Sequence, residues 1–238
     1  MTLEKIKKLL KAYKGGLIPT LAEHEVHPEQ PLSSRERYLY FTLPPCLNFQ
    51  RSSPAMWRAA LASWDDEATR YLFFPEKVIA VSRDKVQEDL TRYGLALQKN
   101  RHTDIWLAIS KTLARDYESD PRMLLNSNNC DTIRILDTLQ NLKKKDFPYL
   151  SGPKMANYWL YILSRYTDVV FKNREYISII PDTHVMQCTQ HLGLIEGIST
   201  PEKVALIWRE LLAGSEITPV EMHPVLWNWS RNDFKPNV

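Results

Sequence analysis

The segment that decides the fold lies at residues 146–160 and reads DFPYLSGPKMANYWL. We interpret it as the end of one helix, a tight turn and the start of a second helix. Ser151, Gly152 and Pro153 form the predicted turn, because proline is favoured at the first position of a helix. The first backbone N–H groups of the new helix have no partner within the helix, and such groups attract phosphate. The segment therefore predicts two helices joined at a point that suits an anion.

The rest of the chain also favours helices. Apolar residues recur at spacings of three and four in many segments, whereas the alternation typical of strands is hard to find. The chain of 238 residues is long enough to bury one large core or two closely packed ones. The sequence therefore predicts an all-α protein.

Charge alone does not identify a partner, since 31 Lys and Arg residues against 28 Asp and Glu residues give a net charge of only +3. Two local runs are more basic: Lys5, Lys7, Lys8 and Lys11, and then Lys143, Lys144 and Lys145. Either run can simply be a solvated helix face. We favour that interpretation for the first run and an anion-binding role for the second.

The cysteines and the hydropathy pattern exclude several classes of protein. The three cysteines lie far apart without a CxxC pair, which predicts neither a zinc site nor a disulfide framework. No stretch approaches the roughly 18 apolar residues needed to span a bilayer. We expect a cytoplasmic, nucleoid-associated protein without membrane attachment.

Two residues have the chemistry of a nucleophile and its partner carboxylate. Lys154 falls in the first turn of the predicted second helix, where the helix dipole, and burial if it occurs, favour the neutral and nucleophilic form of its amine. Asp182 follows a proline and precedes an apolar periodic segment, so we expect it to cap a helix and hold its carboxylate in a fixed direction. An amine and a carboxylate facing one pocket suit displacement at the anomeric carbon of a sugar.

The motifs Lys154-x-Ala156-Asn157 and Asp182-Thr183-His184-Val185 resemble those of the helix-hairpin-helix DNA glycosylases, the endonuclease III and 8-oxoguanine glycosylase superfamily. The resemblance covers only about residues 147–194. It implies that Lys154 forms a Schiff base with deoxyribose and that Asp182 activates the reaction. It also implies that hairpin amides bind a DNA phosphate through a monovalent cation. The phosphate-binding residues are then expected to be Ser151 and Gly152, with Lys143, Lys144 and Lys145.

Three departures from the family pattern bear on the substrate and on the cofactor. The hairpin retains only Gly152 of the usual two glycines, and the interval from Lys154 to Asp182 is longer than in endonuclease III. Both features resemble the divergent archaeal 8-oxoguanine glycosylase branch. The clustered C-terminal cysteines of the iron–sulfur members are absent from the sequence, so we expect no cluster and no metal catalysis.

Other residues are weaker candidates. Gln50 loosely matches the place where family members present a glutamine to DNA or to the extruded base, although loop glutamines are usually only solvated. We expect His184 and His191 to be packing or surface residues. The seven tryptophans are expected mostly in the core, with one or two near the C-terminus able to stack on a flipped base.

Together these observations predict a monomeric, two-lobed glycosylase and lyase that acts on double-stranded DNA in the cleft between its lobes. One lobe is expected at residues 47–165, and the other at residues 1–46 with 171–238. The first expectation for the substrate is an oxidised purine such as 8-oxoguanine. The alternatives are a glycosylase for oxidised pyrimidines or mismatched bases and a non-catalytic protein that binds DNA structures.

Overall fold

The computed structural model describes residues 2–20 and 25–237. Within this part the regular elements are helical, apart from one isolated bridge between Asp131 and Lys172, which confirms the all-α prediction. The helices, numbered in chain order, are α1 (Thr2–Lys14), α2 (Arg35–Thr42), α3 (Ser53–Asp65), α4 (Pro75–Val78), α5 (Arg83–Arg92), α6 (Lys99–Asp116), α7 (Pro121–Ser127), α8 (Thr132–Asp137), α9 (Pro153–Tyr166), α10 (Thr183–His191), α11 (Pro201–Leu212) and α12 (Pro219–Arg231). Short 3₁₀ turns lie at Pro44–Leu47, Arg70–Phe73 and Arg174–Tyr176, and a π-helical turn at Thr138–Leu142.

The helix starts follow local sequence rules. Ser34, Ser82, Asp131 and Asp182 each accept a hydrogen bond from a backbone N–H two or three residues further on. Such a side chain satisfies one of the donors that a helix start leaves free. Proline occupies one of the first two positions in α3, α4, α7, α9, α11 and α12, where its missing N–H costs no intrahelical bond.

The chain divides into two compact units. One unit is residues 23–172, which we call the central unit, and the other combines residues 1–22 and 173–238, which we call the terminal unit. The sequence-based division placed residues 25–46 with the termini instead. They belong to the central unit because α2 is buried there: Phe41 stacks on Tyr166 with ring centroids 4.8 Å apart, and Trp159 donates to Thr42 over 3.1 Å.

Helix α9 runs through the core of the central unit. Its residues from Met155 to Leu163 are all buried, and Trp159 is fully inaccessible to solvent. Burying each large apolar side chain stabilises the unit by about 1.5–3 kcal/mol, so α9 is a rigid support for the residues at its first turn. No helix in the described ranges, α9 included, is long and apolar enough to cross a membrane.

The terminal unit has its own apolar core, built from both ends of the chain. Ile6 and Leu9 of α1 pack in one cluster with Trp208 of α11 and Trp229 of α12. Trp208 donates its indole N–H to Thr189 over 2.9 Å, which satisfies a donor that would otherwise be buried without a partner. The core assignment of these two tryptophans is confirmed.

Candidate active site

The connection into α9 is longer and less regular than the sequence suggested. The predicted helix from Asp131 does not run as an α-helix into the lysines, because it widens into the π-helical turn Thr138–Leu142. Lys143 N–H donates to Thr138 O over 2.8 Å and closes this turn. Residues 143–152 then form a series of turns before Pro153 begins α9.

The backbone amides of the turn before α9 donate hydrogen bonds within the turn itself. Ser151 N–H donates to Phe147 O over 2.9 Å, and Gly152 N–H donates to Tyr149 O over 3.1 Å. Ser151 and Gly152 therefore do not present the free donors that the sequence suggested. A helix start leaves its first N–H groups unsatisfied, so in this segment the free donors belong to the first turn of α9.

The conformation of Tyr149 bears on the missing hairpin glycine. Tyr149 has a φ of 67°, a left-handed conformation that glycine adopts far more readily than other residues. Gly152 has a φ of −66°, but a Cβ atom there would lie 3.3 Å from Tyr149 O. The turn therefore keeps its one glycine for close packing and holds a tyrosine in a left-handed conformation, which eight other non-glycine residues of the described chain also adopt.

The monovalent cation implied by the family resemblance would need backbone carbonyls of this turn as ligands. The carbonyls of Phe147, Pro148 and Tyr149 each accept one hydrogen bond from an amide within the turn, and each oxygen keeps a second lone pair. The cation stays a prediction, and we derive no step through it.

Lys154 lies at the first turn of α9, as predicted, but its side chain is exposed. The burial that the sequence argument invoked is therefore absent from the structure, because only the residues that follow Lys154 turn into the core. Met155 and Ala156 are buried, and the Asn157 side chain donates to Pro153 O over 2.8 Å. The backbone beneath the amine is thus held firmly while the amine itself faces solvent.

The structure places the Gln50 loop against the turn that precedes Lys154. Phe49 packs on Tyr149 with ring centroids 4.4 Å apart. Gln50 is exposed with a φ of 52°, and its side-chain oxygen accepts from the Gln98 amide over 3.2 Å. Two strained residues, Gln50 and Tyr149, thus belong to adjoining loops of one surface.

Sequence reasoning missed the residues that support this loop. The Arg101 guanidinium lies 4.7 Å from the centre of the Phe49 ring, and the ring of buried His102 meets Phe49 edge-on at 4.7 Å. Burial, with Arg51 and Arg101 nearby, lowers the pKa of His102 to about 4, so its imidazole is neutral at pH 7. No pattern of residues pointed to Arg101 or His102. Arg51 could have been noticed, because it directly follows the candidate residue Gln50.

The three lysines of residues 143–145 are not equivalent. Lys143 donates to Asp116 over 2.6 Å, and its ammonium lies 4.8 Å from the centre of the Tyr117 ring. The hydrogen bond to Asp116 raises the pKa of Lys143. Lys144 and Lys145 are exposed and form no ion pair with the described residues. Only these two are therefore available to an anion without loss of an existing partner.

Asp182 in the terminal unit is the N-cap of α10, as predicted. It is half-buried, and its Oδ1 accepts from Val185 N–H over 3.0 Å. Its own N–H donates to Ile180 O over 2.7 Å. The carboxylate is thus fixed at a helix start, where the positive end of the helix dipole stabilises its charge.

Aromatic residues lie beside this cap. His184 packs edge-on against Trp227 at 5.3 Å and shares a hydrogen bond of 3.1 Å with Ser230. Trp227 is half-buried, unlike the core tryptophans, and the Arg231 guanidinium lies 4.7 Å from the centre of its ring. Trp227 is thus the half-buried C-terminal tryptophan near the Asp182 motif.

His191 also packs against an aromatic ring. His191 stacks on Phe234 with centroids 4.2 Å apart, which confirms a packing role. Across residues 2–20 and 25–237, no three His, Cys, Asp or Glu side chains gather in a way that could hold a metal ion.

Lys154 and Asp182 lie in different units, the central and the terminal one respectively. Each motif occupies a helix start. No family model matches the chain, and no curated protein matches its sequence significantly.

Proposed function

We propose that this protein is a DNA glycosylase with associated lyase activity. The observation that carries the proposal is the placement of both motifs at helix starts. Lys154 projects from the first turn of the buried helix α9, and Asp182 caps α10 with a fixed carboxylate. DNA binding alone has no need for a nucleophile together with such a carboxylate.

The chemistry would begin at the sugar of a damaged nucleotide. The neutral amine of Lys154 attacks C1′, and the glycosidic bond breaks with its electron pair leaving on the base. The bound amine gives up one proton, and the departing base takes up a proton. The nitrogen lone pair then opens C1′–O4′ as O4′ is protonated, which gives a protonated imine that draws electrons from C2′. Loss of the C2′ proton eliminates the 3′ phosphate and nicks the strand. The Asp182 carboxylate stabilises the positive charge that develops at C1′ and assists the proton transfers.

Lys154 is exposed at the first turn of α9, so a bound duplex can reach its amine without any change in the helix. We therefore expect bound DNA to cover Lys154.

Two residues are candidates for recognising the extruded base. An enzyme that attacks C1′ must rotate the target nucleotide out of the duplex. Trp227, half-buried beside His184, is the tryptophan we propose for stacking, and the exposed Gln50 is the residue we propose for hydrogen bonding. An oxidised purine, with 8-oxoguanine first, is the substrate we propose from the resemblance to the archaeal branch.

A panel of duplexes, each with one lesion, tests the proposal. We expect base release and strand nicking to be fastest on a duplex containing an oxidised purine. Faster release of oxidised pyrimidines or mismatched bases would keep the reaction and change the substrate. Tight binding without base release from any duplex would contradict the proposed activity and favour a DNA-structure-binding protein.

Lys144 and Lys145 are the phosphate contacts we propose, because they are exposed and form no ion pair with the described residues. Replacing Lys144 and Lys145 by alanine should lower the affinity for any duplex and reduce the slope of log K against log salt by up to about 2, because two counterion-releasing contacts are lost. Lys143→Ala should change the slope less, since Lys143 is already paired with Asp116. Fluorescence anisotropy over a salt series measures both effects. A slope that is the same in the double variant and the wild type would remove this run from the interface.

A further inference from the structure

The first helix carries a basic face that the proposed function does not use. Helix α1 buries Ile6, Leu9 and Leu10 in the core of the terminal unit. Its opposite side exposes four lysines, at Lys7, Lys8, Lys11 and Lys14. We call these four residues the α1 lysine face.

The four amines are arranged along one side of the helix. With 3.6 residues per turn they fall within about 120° of arc, and from Lys7 to Lys14 they extend over about 10 Å. Lys7 pairs with Glu4 over 3.0 Å, whereas the other three form no ion pair with the described residues. One carboxylate therefore faces four amines on this helix.

Helix electrostatics accounts for only part of this pattern. Lys11 and Lys14 occupy the last turn, where a positive charge stabilises the helix dipole. Lys8 lies mid-helix, where that stabilisation has faded. The mutual repulsion of the amines is an unfavourable feature unless an anionic partner offsets it.

We infer that the α1 lysine face is a second binding surface for the phosphate backbone of duplex DNA. Its length matches about three phosphate spacings, or four successive phosphates of one strand, since these are about 3.4 Å apart along the duplex axis. This inference rests on the proposed function, since it deepens the way in which the protein holds its DNA.

An anionic membrane is the competing partner, and the burial pattern argues against it. Amphipathic helices bind membranes by inserting their apolar face between the lipids. The apolar face of α1 is already buried in the core, with Ile6 and Leu9 both 0% exposed. The face left to solvent offers charge without an apolar anchor, which suits the backbone of a nucleic acid.

The test uses the full chain with Lys8, Lys11 and Lys14 all replaced by glutamine. These side chains are exposed, so folding should be unaffected. We expect affinity for an undamaged duplex of about 30 base pairs to fall roughly tenfold or more at 0.1 M salt, with a slope of log K against log salt reduced by about 2 to 3. The matched control replaces Lys111, Lys203 and Lys235 by glutamine. These lysines are exposed and scattered, so this variant should bind DNA nearly as the wild type does.

The outcomes separate this inference from the proposed function. Unchanged affinity and slope in the α1 variant, while the wild type cleaves lesion duplexes, would overturn the second surface alone. A lowered slope in a protein that releases no base would support the surface and contradict the glycosylase. A second measurement uses vesicles of phosphatidylserine and phosphatidylcholine. If the α1 variant loses vesicle binding but keeps DNA binding, the partner is a membrane and the inference is overturned.

Discussion

Lys154→Gln should abolish covalent trapping of the protein on DNA, with a loss of roughly a thousandfold or more. Borohydride reduces the imine between a lysine and C1′ to a permanent bond, and the glutamine amide cannot form that imine. The wild type mixed with borohydride and a lesion-bearing or abasic duplex should give a slowly migrating adduct, which peptide mapping places on Lys154. Because Lys154 is exposed, the variant should fold and melt as the wild type does.

Lys111→Gln is the matched control, since it removes one exposed amine from α6. It should trap DNA as efficiently as the wild type. Efficient trapping by the Lys154 variant would show that another amine is the nucleophile. Base release by the wild type without any trapping would indicate that water attacks C1′ and that the enzyme is monofunctional.

Asp182→Asn should slow base release about a hundredfold to a thousandfold while leaving the fold intact. The asparagine oxygen can still accept the hydrogen bond from Val185 N–H, so α10 keeps its cap. The negative charge that stabilises the developing positive charge at C1′ is lost. Single-turnover base release from a lesion duplex measures the rate, and thermal unfolding measures the stability.

The chain offers a matched control for this substitution at the N-cap of α8. Asp131 accepts hydrogen bonds from Ile133 and Arg134 N–H groups. Asp131→Asn makes the same chemical change at a helix start outside the proposed site, and it should leave base release unchanged. If Asp182→Asn releases base at the wild-type rate, the Asp182 carboxylate is only a helix cap and the proposed mechanism is wrong.

The lysine substitutions at residues 144–145 and on α1 have smaller expected effects, because each phosphate contact contributes only part of a salt-dependent affinity. They report on binding rather than on chemistry. Together with the two variants above, they test separately whether the protein binds DNA and whether it cleaves the glycosidic bond.

The sequence alone determined the helical class and most helix starts. Asp182 caps α10 and Pro153 begins α9, as their positions predicted. These features are local, because a cap bonds to an N–H two or three residues away and proline restricts its own backbone. Apolar spacing likewise identified the buried stripes, since each helix face repeats every three to four residues.

Only the tertiary structure decided which functional groups are available. Lys143 is tied to Asp116, 27 residues earlier in the chain, and the Gln50 loop packs on the Tyr149 turn through Phe49. Lys154 remains exposed where the sequence argument invoked burial. Exposure and pairing depend on which distant segments meet in the folded chain, and no local pattern specifies that. The turn at residues 143–152 escaped prediction for a related reason, since its strained Tyr149 is held in place by packing against Phe49 from another loop.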